Sequence, residues 1–278
     1  MKPAAFEYVR ADSVPHAVTA LAAAEGEGKI IAGGQSLMPM LALRLAQPAV
    51  LIDINRIPGL EAIWPQPGGG LRAGALVRHR TLAAHDQYPL LAEAARWIGH
   101  PAIRTRGTLG GSLAHADPAG ELPVVAMATD AAVIVTGPDG QRRVPAAELF
   151  AGALQTDLAD DELIEAVEFP APGRWGFAEF ARRHGDFGLV IVAFAEVAGR
   201  LQLAVGGVSG TPVRPAGAEH VLAAGPLTRS RIAEAAAAAA AEVQPAGDIH
   251  ATTGYRRQLT QVLVTRALEQ ATATRQAA

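Results

Sequence analysis

Two short runs combine residue types that could do chemistry: Ile31-Ala32-Gly33-Gly34-Gln35-Ser36-Leu37 and Thr108-Leu109-Gly110-Gly111-Ser112. Each sets two consecutive glycines beside a hydroxyl, near a turn between regular elements. Glycine admits positive φ and removes the Cβ that would hold a ligand away from the backbone. Successive free N–H groups in such a loop form a concavity for an anion, and in the first loop the helix after Ser36 adds its N-terminus. Neither loop contains a lysine, so a phosphate ester there would be held by backbone dipoles and hydroxyls. Two such loops suit the two phosphates of a dinucleotide. The alternative is that both are merely tight turns.

The common fingerprints of nucleotide and hydrolase chemistry are missing. Gly26-Glu27-Gly28 lacks the third glycine of a dinucleotide-binding GxGxxG. No GxxxxGK[ST] is present, and Gly110-Gly111-Ser112-Leu113-Ala114 lacks the last glycine of a nucleophile elbow. His115 and Asp117 follow the second loop as an acid/base pair, two metal ligands, a carboxylate beside a nucleotide, or a helix cap. A metal site needs three or four ligands, and the other histidines are scattered. Arg182-Arg183-His184-Gly185-Asp186-Phe187 reads either as an anion clamp or as a solvated turn.

The elements that must position these loops begin with a βαβαβ pattern. Strands are expected near Phe6–Val9, Lys29–Ala32 and Val50–Ile54, with helices over Ser13–Ala24, opened by Ser13 as N-cap, and Leu37–Leu45. From about Gly59 short strands lie among glycines and prolines, at Ala62–Trp64 and Leu71–Gly74. A helix over Pro89–Trp97 precedes the second loop, and another begins near Glu121. The Gly137-Pro138-Asp139-Gly140 turn joins a hairpin, and Leu163–Phe169 is a further strand. Pro170-Ala171-Pro172-Gly173 marks a boundary. Beyond it come strands at Phe177–Arg182, Leu189–Val197 and Leu201–Val208, then helices at Pro215–Ala223, Thr228–Glu242 and Thr252–Thr272. In the last helix Tyr255, Leu259, Val262 and Leu263 are expected on one face. The fold class is therefore α+β, with residues 1–170 as one domain (subdomains about 1–57 and 58–170) and 174–278 as a smaller one built on a three-stranded antiparallel sheet.

Composition limits the function. The chain has 278 residues, half of them hydrophobic, and a formal net charge of -3, which gives nucleic acid no basic track to follow. It has no cysteine, so it cannot itself carry a disulfide, a thiolate zinc site or a cysteine-ligated iron–sulfur cluster. No apolar stretch reaches the ~18 residues of a membrane span. A cytoplasmic protein is expected. Lysine occurs only at Lys2 and Lys29 and asparagine only at Asn55, against abundant Ala, Gly, Pro and Arg, so alanine runs carry little information beyond a helical preference.

Taken in order, the motifs resemble those of a known family. Ala32-Gly33-Gly34-Gln35-Ser36 with Leu37-Met38-Pro39, and Ile103-Arg104 to Gly107-Thr108-Leu109-Gly110-Gly111-Ser112-Leu113, resemble the two FAD loops of the flavin-carrying medium subunits of the xanthine dehydrogenase and carbon monoxide dehydrogenase family. Ala116-Asp117-Pro118 to Glu121-Leu122-Pro123, Arg182-Arg183 to Gly185-Asp186-Phe187, Gly207 to Pro212, and Tyr255-Arg256-Arg257 to Arg266-Ala267-Leu268 match as well. The resemblance covers essentially the whole chain. It implies a two-part FAD-binding domain of the vanillyl-alcohol-oxidase (PCMH) type and a small C-terminal domain. FAD would lie extended with its pyrophosphate against residues 32 to 36 and 108 to 112, flanked by Ile31 and Leu37. Asp117 and Glu121 would make polar contacts to the flavin nucleotide, and Phe187 would stand beside the isoalloxazine. Ala178 lies near a position where eukaryotic relatives carry a lysine, so no contact is carried over there.

The same resemblance implies that substrate oxidation occurs at a molybdopterin cofactor in a large partner subunit. Substrates of such complexes are aromatic N-heterocycles, aldehydes or carbon monoxide. Electrons would pass through [2Fe–2S] clusters of a small subunit to FAD in this chain, and from there to a terminal acceptor. The assembly expected is a dimer of heterotrimers. No catalytic acid or base and no metal ligand is expected in this chain. A self-sufficient flavin oxidase of the same fold, and a non-catalytic nucleotide-binding scaffold, are the alternatives.

Overall fold

The computed structural model describes residues 2–274; the last positions of the expected C-terminal domain, 275–278, lie outside the described residues. The chain opens with β1 (Glu7–Arg10), α1 (Val14–Ala23), β2 (Gly28–Ile31), α2 (Leu37–Ala42) and β3 (Val50–Asp53). The three strands form a parallel sheet in the order β1-β3-β2, as the βαβαβ pattern requires. Ser13 caps α1, its Oγ accepting from the His16 N–H at 3.3 Å. Ala17, Val18 and Leu21 of α1 then pack with Ile52 and Ile54.

The middle of the chain comprises β4 (Ile63–Pro65), β5 (Leu71–Gly74), α3 (His79–Ala83), α4 (Pro89–Trp97), α5 (Pro101–Arg104), α6 (Leu109–His115), α7 (Glu121–Ala128), β6 (Ala132–Gly137), β7 (Gly140–Pro145), α8 (Ala146–Leu149), β8 (Phe150–Gly152), β9 (Gln155–Thr156) and β10 (Leu163–Phe169). Five of these strands form an antiparallel sheet ordered β4-β5-β10-β6-β7. Leu90 and Leu91 of α4 and Leu122 and Val125 of α7 share one buried core with Leu71, Val133 and Val167 of this sheet. The short helices α3, α5 and α8 were not expected from the sequence, since four or five residues are too few to display a helical period.

The Pro-Ala-Pro-Gly run leads directly into β11 (Pro172–Phe180), followed by β12 (Val190–Val197), β13 (Arg200–Gly206), α9 (Ala216–Ala223), α10 (Arg229–Glu242) and α11 (Thr253–Thr274). The antiparallel sheet β11-β12-β13 is buried on both faces. Phe177, Ile191, Ala193 and Ala195 point toward the core of the middle region, while Ala178, Val190, Val192 and Phe194 point toward α9–α11. Burial on both faces explains the apolar run Val190–Ala195 of β12. A Cβ at Gly176 would lie 1.9 Å from the Ala267 carbonyl oxygen, so α11 rests directly on β11 there. The face expected on α11 is buried only in part. Leu259 and Leu263 are buried, but Tyr255 and Val262 are exposed, and the stripe continues through Ala267 and Ala271. Alanines at i+4 steps carry it, and an alanine-rich background hides them.

Candidate functional site

The two glycine runs meet in space. A Cβ on Gly33 would fall 2.3 Å from the Arg106 carbonyl oxygen and 3.0 Å from Gly107 Cα, so the first loop lies against the backbone that enters the second. A polar bracket holds them there. Asn55 Nδ2 donates to the Ala32 carbonyl at 2.7 Å and to Asp53 Oδ1 at 2.7 Å. Arg78 donates from Nη2 to Asn55 Oδ1 at 2.8 Å and from Nη1 to the Arg106 carbonyl. Asn55 and Arg78 escaped the motif reading; the one available signal was that Asn55 is the only asparagine in the chain.

The loops divide the work unequally. Gly34 takes φ +71, a turn that glycine allows. Among the described residues, no acceptor receives the backbone N–H groups of Gly33, Gly34, Gln35, Ser36 or Leu37. The first loop is therefore the concavity of donors that its composition suggested. The second run is helix rather than turn. Leu109 N–H donates to the Val77 carbonyl, Gly110 N–H to Ala75, Gly111 N–H to Thr108 Oγ1 and Ser112 N–H to the Thr108 carbonyl. Neither Gly110 nor Gly111 has positive φ. These glycines serve close packing instead: a Cβ on Gly110 would stand 2.5 Å from the Ala75 Cβ. Thr108, Leu109 and Gly110 are buried, so of this run the half-buried Gly111 and the Ser112 hydroxyl remain for a ligand.

Ser112 has a partner that the sequence did not reveal. His79, at the start of α3, is 4 % exposed. Its Nε2 lies 2.9 Å from both the Thr108 carbonyl oxygen and Ser112 Oγ. Burial, with Arg104 and Arg78 nearby, pushes its pKa down to about 4. Gly107 makes room for the ring, since a Cβ there would lie 2.6 Å from His79 Nδ1.

Asp117 and Glu121 fall at the next turn. Asp117 Oδ1 accepts from the Ala119 N–H at 2.8 Å, and His115 Nε2 stands 3.9 Å from Asp117 Oδ2. Asp117 thus shapes the entry to α7, as a helix-start residue would. Glu121 is the first residue of α7 and is buried, which raises its carboxyl pKa, with Asp117 adding to the effect. Behind it, Glu179 of β11 is 6 % exposed and neither carboxylate oxygen has a partner. Burial, and then the charge of Glu121, pushes the Glu179 carboxyl strongly up. Two desolvated carboxyls that repel each other retain a proton at neutral pH. Glu179 also escaped the motif reading, because a lone Glu in a strand looks like a solvent-facing one. Phe187 stands 74 % exposed in the turn between β11 and β12. That turn packs on the approach to the second loop, where a Cβ on Gly185 would meet the His100 ring at 2.4 Å.

Comparison with known proteins decides the family. Residues 4–172 match the FAD binding domain in molybdopterin dehydrogenase, and residues 175–271 match the CO dehydrogenase flavoprotein C-terminal domain. The chain belongs to the FAD-binding medium subunits of the molybdenum hydroxylases. It is 42 % identical over 281 residues to the nicotine 6-hydroxylase medium subunit of Paenarthrobacter nicotinovorans, spanning 98 % of this chain and 99 % of that one. It is 35 % identical to the carbon monoxide dehydrogenase medium chain of Hydrogenophaga pseudoflava, with 98 % of each covered. Among solved structures, carbon monoxide dehydrogenase from Hydrogenophaga pseudoflava superimposes with a TM-score of 0.92 at 36 % identity, covering 98 % of this chain and 99 % of that one. Quinoline 2-oxidoreductase from Pseudomonas putida 86 does so with 0.91 at 34 %, over the same shares. The N-terminal part of this medium subunit is thus an FAD-binding domain, and the α+β class expected from the sequence holds. Among the described residues no helix is long and apolar enough to cross a membrane.

Proposed function

We propose that this chain is the electron-transfer flavoprotein of a molybdenum hydroxylase complex, taking electrons from [2Fe–2S] clusters of a small subunit and delivering them to a terminal acceptor. The observation that carries the reading is the row of unpaired N–H donors from Gly33 to Leu37, set against the Arg106–Gly107 backbone that leads into the second glycine run. Those donors fit the anionic pyrophosphate of FAD without needing a lysine. The Ser112 hydroxyl and the half-buried Gly111 would line the other side. Glu121 would accept from nucleotide hydroxyls. Bound FAD supplies the exchange of one electron at a time with partners on either side, while the protein orients it and sets its electrostatics. Ile31 and Leu37 would flank the pyrophosphate loop, and Phe187 would give an aromatic wall. The residues 170–173 would form the junction between the FAD-binding domain and the C-terminal one.

The relatives support a partnered enzyme. The similar proteins are named as medium chains or subunits of larger dehydrogenases and hydroxylases. With no cysteine of its own, this chain leaves the clusters to another subunit. We place it in the cytoplasm, in a dimer of heterotrimers with a small iron–sulfur and a large molybdopterin subunit. Co-expression with the adjacent partner chains, followed by metal analysis and anaerobic addition of candidate substrates, tests this. Bleaching of the flavin bands only when the iron–sulfur subunit is present supports the route; bleaching of this chain alone by substrate overturns it.

A further inference from the structure

We propose that His79 is a positioning residue for the cofactor site: its Nε2–H fixes the Ser112 hydroxyl as a hydrogen-bond donor toward the diphosphate of the bound dinucleotide. The inference rests on the FAD-binding reading above and adds a residue outside both glycine runs. The Thr108 carbonyl oxygen, 2.9 Å from Nε2, can only accept, so Nε2 carries the hydrogen. Ser112 Oγ, also 2.9 Å from Nε2, then accepts from that same N–H in a three-centre bond. With its lone pair engaged there, the Ser112 hydroxyl is free to direct its own hydrogen outward.

The surroundings lock this tautomer. Nδ1 is buried with no partner, and an orphaned lone pair there is tolerated better than an orphaned N–H. A second proton on the ring is opposed by burial and by the charges of Arg104 on α5 and Arg78 just before α3. The backbone holds the ring in register: His79 N–H donates to the Gly107 carbonyl at 3.0 Å, and Leu109 N–H to Val77 at 2.9 Å, pairing the segment before α3 with the segment before α6. The bare Cα of Gly107 leaves the space that the ring fills. His79 therefore couples the start of α6 to the hydroxyl that faces the ligand.

A double-mutant cycle on the full-length apo-chain, titrated with FAD by quenching of flavin fluorescence, tests the coupling. Ser112→Ala and His79→Leu are each expected to weaken FAD binding roughly tenfold, and the double variant no more than about threefold beyond either single change. His79→Gln, which places an N–H near Nε2, is expected to recover binding to within about threefold of wild type. Independent effects that multiply in the double variant, or His79→Leu binding FAD like wild type, would overturn the inference. Should His79→Leu fail to fold, nitrogen-15 NMR of histidine-labelled wild type decides: protonated Nε2 and bare Nδ1 are expected at pH 7, and a protonated Nδ1 overturns it. A wild-type chain that takes up no FAD would instead refute the functional reading itself.

Discussion

Substituting Gly33 by Ala tests whether FAD binding requires the two loops to stay closed. The added Cβ would sit 2.3 Å from the Arg106 carbonyl oxygen and 2.9 Å from its carbon, both backbone atoms. An ordinary non-bonded separation is about 3.5 Å, so the loops must part by about 1 Å. Overpacking of this kind costs about 1–3 kcal/mol when the surroundings cannot yield. In the apo-chain the bracket of Asn55 and Arg78 can stretch, because both side chains are partly solvated, and much of the strain is released. FAD gripped between the loops would require them to close again. The cost then appears in binding: roughly fivefold to a hundredfold weaker FAD affinity, with little change in the unfolding midpoint of the apo-chain. Fluorescence titration with FAD and thermal unfolding of the same samples read the two quantities. Gly254→Ala, where an added Cβ meets nothing within 4 Å, is the control and should leave FAD binding unchanged. Wild-type affinity in Gly33→Ala would show that FAD binds without the loops closing on it, and the reasoning would fail.

The remaining predictions concern buried polar groups. With its pKa lowered to about 4, native His79 binds fewer protons than unfolded His79 between pH 6.5 and 4. Its contribution to stability is complete above pH 6.5 and is lost as pH falls, up to about 3 kcal/mol; urea unfolding at pH 7.5 and 4.5 should show a loss that His79→Gln lacks. Glu179 and Glu121 act in the opposite sense, because their raised pKa values make the native apo-chain hold protons the unfolded chain has released. Stability should therefore fall as pH rises above the ordinary carboxylate range, and Glu179→Gln should unfold at higher denaturant than wild type at pH 9 but not at pH 5. Asn55→Ala deprives the Ala32 carbonyl and the Arg78 guanidinium of a partner and should weaken FAD binding about tenfold, measured by the same titration; unchanged affinity would mean the bracket does not govern the loop.

Much of the fold could be read from the sequence because local signals agreed with tertiary demand. The Ser13 cap, the strand over Leu71–Gly74, the helix over Pro89–Trp97 and the strand over Leu163–Phe169 all appear where propensity and pattern put them. The first glycine loop also behaves as its composition suggests, with free donors and a positive φ at Gly34. Tertiary packing was harder to anticipate. Gly110 and Gly111 look like turn glycines, yet they sit in α6, where Ala75 and Thr108 Oγ1 leave no room for side chains. His79 and Glu179 lie 33 residues before Ser112 and 58 after Glu121, in segments whose local pattern carries no mark of burial. Only chain crossings bring them to the site, and a single sequence does not encode those crossings in any short window. On α11 the buried stripe runs through alanines, so hydrophobicity alone favoured Val262 over Ala267.

The most direct test of the central claim is the absorption spectrum of the purified full-length chain, read with chromatography of the nucleotide released by acid. Flavin bands and one equivalent of released FAD, both lost in a variant that disrupts the Gly33–Leu37 loop, are the predicted result. A colourless chain that takes up no FAD even when its partner subunits are supplied would contradict it.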